Sequence, residues 1–199
     1  MKESKKSKEN RKSYWLVLNV FDCLGMKKSE LFEKLKDHLN LKNVNQAPKV
    51  DKVIVAMGIG SLVTRKGHKD FEEFERNLIK VTGQKPVLVR SKKAISNFKL
   101  REGMPVMLKV TLRGERAYDF LDRFCKLVLP RVRDFSGISK RNFDPKGNLN
   151  FGLQNYNIFP ELWVDDVTIP MGIQITVVST AGTPEGSQAL LQEMWFIFK

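Results

Sequence analysis

Between Val106 and Arg113 the chain alternates: Val106, Leu108, Val110 and Leu112 are apolar, and Met107, Lys109, Thr111 and Arg113 fall between them. Successive side chains of a strand point to opposite faces, so this period of two predicts a strand with one dry face and one cationic face. The segment that follows Gly83 reads as a companion strand, joined to the first by a long loop from about Ser91 to Gly103. Helical spacing appears elsewhere. Phe71, Phe74, Leu78 and Val81 fall on one side of a helix from Asp70 to Thr82, with Gly83 where a C-cap belongs and Gln84 just beyond it. Leu31, Phe32, Leu35 and Leu39 predict an earlier helix with Ser29 as its N-cap.

The remaining elements follow from the same two periods. Val50 to Gly60 is β-branched, short and closed by glycines, as a buried strand leading into a turn should be. After Arg113 and Gly114, Tyr118, Leu121, Cys125 and Val128 share one helical face with Phe120, Phe124 and Leu127 beside it, and Pro130 ends the helix. The stretch from Arg131 to Leu153 is rich in Gly, Asn and Asp and predicts a surface connection followed by a strand or hairpin, its carboxylates Asp134 and Asp144 isolated. A loop through Trp163, Asp165 and Asp166 precedes a buried strand from Gly172 to Thr180. Thr183 and Pro184 fit an N-cap and first helical position, Leu190, Leu191 and Met194 would pack that last helix, and the final WFIFK should lie against the body.

Charge changes this picture from a fold to a binding protein. The 199 residues carry a formal net charge of +13, which implies attraction to a polyanion, either nucleic acid or an anionic membrane surface. Lys92, Lys93, Lys99 and Arg101 crowd the long loop against the single acid Glu102, with Ser96, Asn97 and Phe98 among them. Cations neutralise phosphates and an aromatic face accepts an unstacked base, so the loop suits RNA, although a solvated hairpin tip has the same composition.

The amino terminus is split. Residues Met1 to Lys12 hold six lysines and arginines and nothing apolar beyond the first methionine, so they are expected to be a disordered basic tail. Tyr14 to Met26 is an apolar run behind that basic head, the order of a secretory signal or a membrane anchor. Asn19 and Asp22 interrupt it, no small-x-small cleavage site follows, and it is shorter than the roughly 20 residues that span a bilayer. It reads as a short helix or arm packed on one α+β domain covering residues 13–199, and no stable membrane association is expected.

Chemistry is sparse. Cys23 and Cys125 are far apart, His38 and His68 are isolated, and no zinc spacing, GxSxG, HExxH or phosphate-binding glycine loop is present. No metal, cofactor or catalytic residue is expected, and the chain reads as a binding protein.

Several long runs, APKVDKVIVAMGIG, TGQKPVLVRSKKAISNFKLREGMPV, KVTLRGERAYDFLDRF, LPRVRDFSGISKRNFDPKGNLNFGL and IFPEL, stand in order along the chain. They resemble large ribosomal subunit protein five of the bacterial type, from about Asn43 through Thr180 and more weakly through the last helix. The resemblance implies an α+β fold, an antiparallel sheet with one face open to RNA and helices on the other. It implies a non-enzymatic constituent of the large subunit, in the cytoplasm or an organelle, whose partners are 5S rRNA, large-subunit rRNA, the peptidyl-site tRNA and, through an intersubunit bridge, a protein of the small-subunit head.

Carried over residue by residue, the family's TGQ glutamine matches Gln84 and the threonine of its VTLR motif matches Thr111, both implied to bond 5S rRNA. Lys109, Arg113, Arg131 and Arg133 are expected beside them as rRNA contacts, and Arg90, Ser91, Lys92, Lys93, Lys99 and Arg101 form the implied tRNA loop. The chain departs from the pattern in three places. Ala56 stands where the family has an asparagine in its first strand, a basic then apolar extension precedes the first family helix, and WFIFK replaces a Gly-Met-Pro-Phe type ending.

Overall fold

The computed structural model describes residues 28–39, 41, 43–66, 71–163 and 169–199. The basic tail and the apolar run at Tyr14 to Met26 lie outside the described residues, as do Cys23, His68, Asp165 and Asp166.

Five strands build one sheet: β1 (Val50–Gly58), β2 (Val87–Arg90), β3 (Pro105–Arg113), β4 (Leu149–Leu153) and β5 (Ile173–Ser179). Their order is β2-β3-β1-β5-β4, with every neighbouring pair antiparallel. Among the described residues four α-helices accompany them: α1 (Lys28–Leu39), α2 (Glu72–Thr82), α3 (Glu115–Arg123) and α4 (Pro184–Glu193). The α+β class and the antiparallel sheet are as the sequence leads one to expect.

One side of the sheet is closed. Val53, Val55 and Met57 of β1 lie level with Leu112, Val110 and Leu108 of β3 and with Val177, Ile175 and Ile173 of β5, and all nine are buried. The same core takes in Phe74, Leu78 and Val81 from α2, Phe120 and Leu121 from α3, and Leu190 and Leu191 from α4. Removing each such aliphatic side chain from water contributes about 1.5–3 kcal/mol, enough together to specify the register. Phe124 is a hub: its ring centroid lies 5.8–6.5 Å from those of Phe120, Phe151, Phe159 and Phe196.

Polar groups lock the helices to the sheet. The Val50 amide donates to the Tyr118 hydroxyl at 3.2 Å, and the buried Asn77 Nδ2 donates to Tyr156 at 3.4 Å. Arg123 joins α3 to its surroundings by donating to Glu161 Oε1 at 2.7 Å and to the Val81 carbonyl at 3.4 Å. Gly83 closes α2 at φ 69°, its amide donating to the Ile79 carbonyl, and Thr183 caps α4 by accepting from the Gly186 amide, with Pro184 in the first turn.

Several local expectations need correction. Ser29 lies inside the first turn of α1, which begins at Lys28, and so is not its N-cap. β1 stops at Gly58, and the chain turns directly into a short helical stretch ending at Lys66. α3 does not continue as a regular helix: Phe124–Val128 is a π-turn and Leu129–Arg131 a 3₁₀ turn around Pro130. The wider turn shifts the angular spacing of side chains, and Leu127 emerges half exposed instead of joining the core. At the chain end, the backbone of Ile197 and Lys199 bonds to that of Ile138, and Phe196 is buried, but Trp195 and Ile197 point outward. Thus only alternate residues of WFIFK face the body.

Candidate nucleic-acid interface

Shifting one residue along each strand moves to the other side of the sheet, where no helix among the described residues covers the strands. Here Lys109, Thr111 and Arg113 of β3 stand partly or fully exposed, as the alternation predicts. Pairing extends the rows. Thr111 is level with Ile54, Thr176 and Asn150, and Lys109 lies level with Val87 on one side and with Ala56, Gln174 and Gly152 on the other.

The end of α2 brings Gln84 beside β3. The Thr82 hydroxyl donates to the Leu78 carbonyl at 2.6 Å and accepts from the Gln84 amide at 3.4 Å, fixing the chain just beyond the cap. Gln84 Nε2 then donates to the Thr111 backbone carbonyl at 3.3 Å. Two residues 27 positions apart are so brought together, with the Thr111 hydroxyl and the Gln84 side-chain Oε1 left available to a partner.

The electrostatics of the face are set by a bulge in β1 between Val50 and Lys52. Asp51 turns outward there, its Oδ2 lying 3.6 Å from Lys52 Nζ and 3.9 Å from Arg113 Nη1. Exposed pairs of this kind contribute about 0–1 kcal/mol, so both cations can exchange the carboxylate for a phosphate at little cost. Lys109 has no acidic partner among the described residues.

The loop Ser91 to Gly103 is an ordered extension of the β2–β3 hairpin. Ser91 donates to the Met104 carbonyl at 2.8 Å and accepts from Gly103 at 3.0 Å. Nearer the tip, Ile95 and Leu100 exchange backbone hydrogen bonds of 2.9 and 3.1 Å around a 3₁₀ turn at Ser96–Phe98. Arg90 braces the base through the Gly103 carbonyl at 3.3 Å, and the Ser91 hydroxyl donates to the Lys93 carbonyl at 2.7 Å. Lys92, Lys93, Lys99 and Arg101 are all exposed, and Phe98 projects 71% exposed among them. A groove of about 700 Å³ separates Asn97, Phe98 and Lys99 from Gly60, Ser61 and Thr64 after β1.

Arg131 and Arg133 occupy a different place. They line a polar cleft of about 980 Å³ beside β4, at the opposite edge of the sheet from Gln84, together with Gly152, Gln154, Asn155 and Asn157. Nearby, Asn150 Nδ2 donates to Asp144 Oδ1 at 3.1 Å, and the Thr176 hydroxyl donates to Asn150 Oδ1 at 2.8 Å. These side chains, with Gln174, were missed by reading Gly172 to Thr180 only as a buried strand. The signal was present, since Gln174 and Thr176 alternate with Ile173, Ile175 and Val177.

Nothing in this arrangement resembles a reaction centre. Among the described residues no three His, Cys, Asp or Glu side chains gather to hold a metal. Cys125 is a free, buried thiol whose pKa is pushed up by burial first and by the Asp122 carboxylate second, with Lys126 partly offsetting, so it is no thiolate at neutral pH. No helix among the described residues is long and apolar enough to cross a membrane.

Similarity to known proteins agrees with the geometry. Residues 43–101 match the model of the family Ribosomal protein L5, and residues 105–198 match the model of that ribosomal family's C-terminus. The chain is 46% identical over 171 residues to large ribosomal subunit protein uL5 of Natranaerobius thermophilus, covering 86% of this chain and 94% of that protein. It is 44% identical over 173 residues to uL5 of Thermotoga maritima, covering 85% and 91%, and 47% identical over 172 residues to uL5 of Corynebacterium diphtheriae, covering 86% and 91%. With both halves of the sheet and nearly the full length of these relatives accounted for, the chain belongs to the ribosomal protein L5 family of the bacterial type, a family of structural, non-enzymatic proteins.

Proposed function

We propose that the protein is a structural constituent of the large ribosomal subunit that docks 5S rRNA on the open face of its sheet. The observation that carries this reading is the uncovered row of Lys109, Thr111 and Arg113 with the Gln84 amide fixed against Thr111. In the reading, the Thr111 hydroxyl and Gln84 amide bond to RNA polar groups while Lys109 and Arg113 neutralise phosphates. Arg131 and Arg133 contact neighbouring rRNA from the β4 edge.

The loop from Arg90 to Arg101 reaches the elbow of the peptidyl-site tRNA. Its hairpin hydrogen bonds support that role by holding four cations and Phe98 away from the body. A surface of the same protein meets a small-subunit head protein across the subunit interface. The work is done in the ribosome of the cytoplasm, and no step of it requires a cofactor.

Binding of a 5S rRNA transcript, measured by filter retention across a salt series, tests the reading. Affinity should fall steeply and linearly in log–log form as phosphate contacts release counterions. Replacing Thr111 by Val should weaken 5S rRNA more than a random RNA of equal length. Equal losses on both RNAs would overturn it.

A further inference from the structure

Gly152 lies inside β4, where glycine weakens a strand by adding backbone entropy and giving nothing to pack. The usual reasons for a glycine are absent. Its φ is outside the left-handed range, the β4–β5 register runs from Leu149 to Leu153 without a bulge, and a Cβ placed on it would meet nothing within 4 Å. What remains is close approach by another molecule.

The register places Gln174 directly between Gly152 and Ala56. Its side chain therefore rises from a trough with only a hydrogen on one flank and a methyl on the other. Gln174 is exposed and makes no side-chain hydrogen bond among the described residues. A free carboxamide offers a donor and an acceptor side by side, the pair that matches the edge of a base.

Its neighbour Thr176 is oriented from the adjacent strand. Asp144 accepts from Asn150, and Asn150 accepts the Thr176 proton, so the Thr176 oxygen keeps its lone pairs to accept with. That makes it a fixed acceptor, suited to an exocyclic amine or a ribose 2′-hydroxyl. Beyond Gly152 the face runs into the cleft lined by Arg131 and Arg133.

We infer that Ala56, Gln174 and Gly152 form a second RNA subsite, in which an unpaired base lies over Gly152 with its edge bonded to Gln174 while Arg131 and Arg133 hold the adjoining phosphates. Gln174 and Gly152 are on the other side of β1 from Gln84 and Thr111, and they bring a carboxamide into the row where Ala56 has none. It rests on the reading of the open face as a 5S rRNA surface.

Three variants of the full chain separate the two ideas, with 5S rRNA and an unrelated RNA of equal length as probes. Gln174→Ala should lower 5S rRNA affinity about tenfold and leave the unrelated RNA unchanged. Gly152→Val should lower it at least as much while the melting temperature holds or rises, because the added side chain meets only open space and suits a strand. If both bind as wild type while Thr111→Val is impaired, the subsite is wrong and the broader reading stands. If all three bind as wild type, both fall. Should Gly152→Val fail to fold, the exposed Gln174→Ala decides alone.

Discussion

On the closed side of the sheet Val53, Val55, Leu108 and Leu112 are wholly inaccessible, whereas one residue along the same strands Lys52, Lys109, Thr111 and Arg113 meet solvent. The backbone is common to both faces. What differs is the partner: helices and aromatic rings on one side, open space on the other. Buried aliphatics are held by close packing, so their loss should be felt as stability. Polar groups on the open side have little to gain from folding, and their loss should be felt as binding.

The largest expected effect is on the closed side. Leu108→Ala removes a fully buried side chain from the closed side of β3 and should cost about 2–5 kcal/mol, read as a lowered urea midpoint with unchanged slope. Tyr118→Phe deletes the acceptor of the buried Val50 amide and should cost about 1–3 kcal/mol in the same assay. Thr111→Val sharpens the contrast from the other face: 5S rRNA affinity should drop by about 1–3 kcal/mol, by analogy with base-edge contacts in DNA, while the urea midpoint barely moves. A fall in stability as large as that for Leu108→Ala would show that Thr111 belongs to the core.

Smaller still is an alkaline effect confined to the closed side. Cys125 keeps its proton in the fold because burial, and then Asp122, raise its pKa, whereas the unfolded thiol titrates near its ordinary value of about 8.5. The folded state then binds more protons, so stability is complete below that pH and declines as pH rises. Tyr118, raised by burial against the lowering effect of the Val50 hydrogen bond, adds to the decline above about pH 10. Cys125→Ala should flatten the fall in urea midpoint between about pH 8 and 10. The smallest effect is Lys92→Ala, which should leave 5S rRNA binding unchanged in a filter assay because Lys92 sits out on the loop.

Elements carried by a local rhythm were legible in the chain. The alternation at Val106 to Arg113 predicts both the strand and the face that each side chain takes, and Gly83 and Thr183 mark helix ends through conformational and capping preferences of single residues. Features made by distant segments were not. The Gln84 bond to the Thr111 carbonyl depends on where α2 ends relative to β3, and the Asp144, Asn150 and Thr176 chain depends on β4 pairing with β5. The π-turn at Phe124–Val128 escaped for another reason: an apolar run tolerates either helical pitch, and the packing around Phe124 selects one.

β1 lies at the middle of the sheet, flanked by β3 and by β5, the last strand made. During synthesis, at about 5–20 residues per second, its second edge therefore waits on the order of ten seconds for a partner. Over that interval a strand that is apolar from Val53 to Met57 offers bare amides and carbonyls to any passing chain. A central first strand thus leaves half of its hydrogen-bonding groups unpaired until the other end of the sheet has been made.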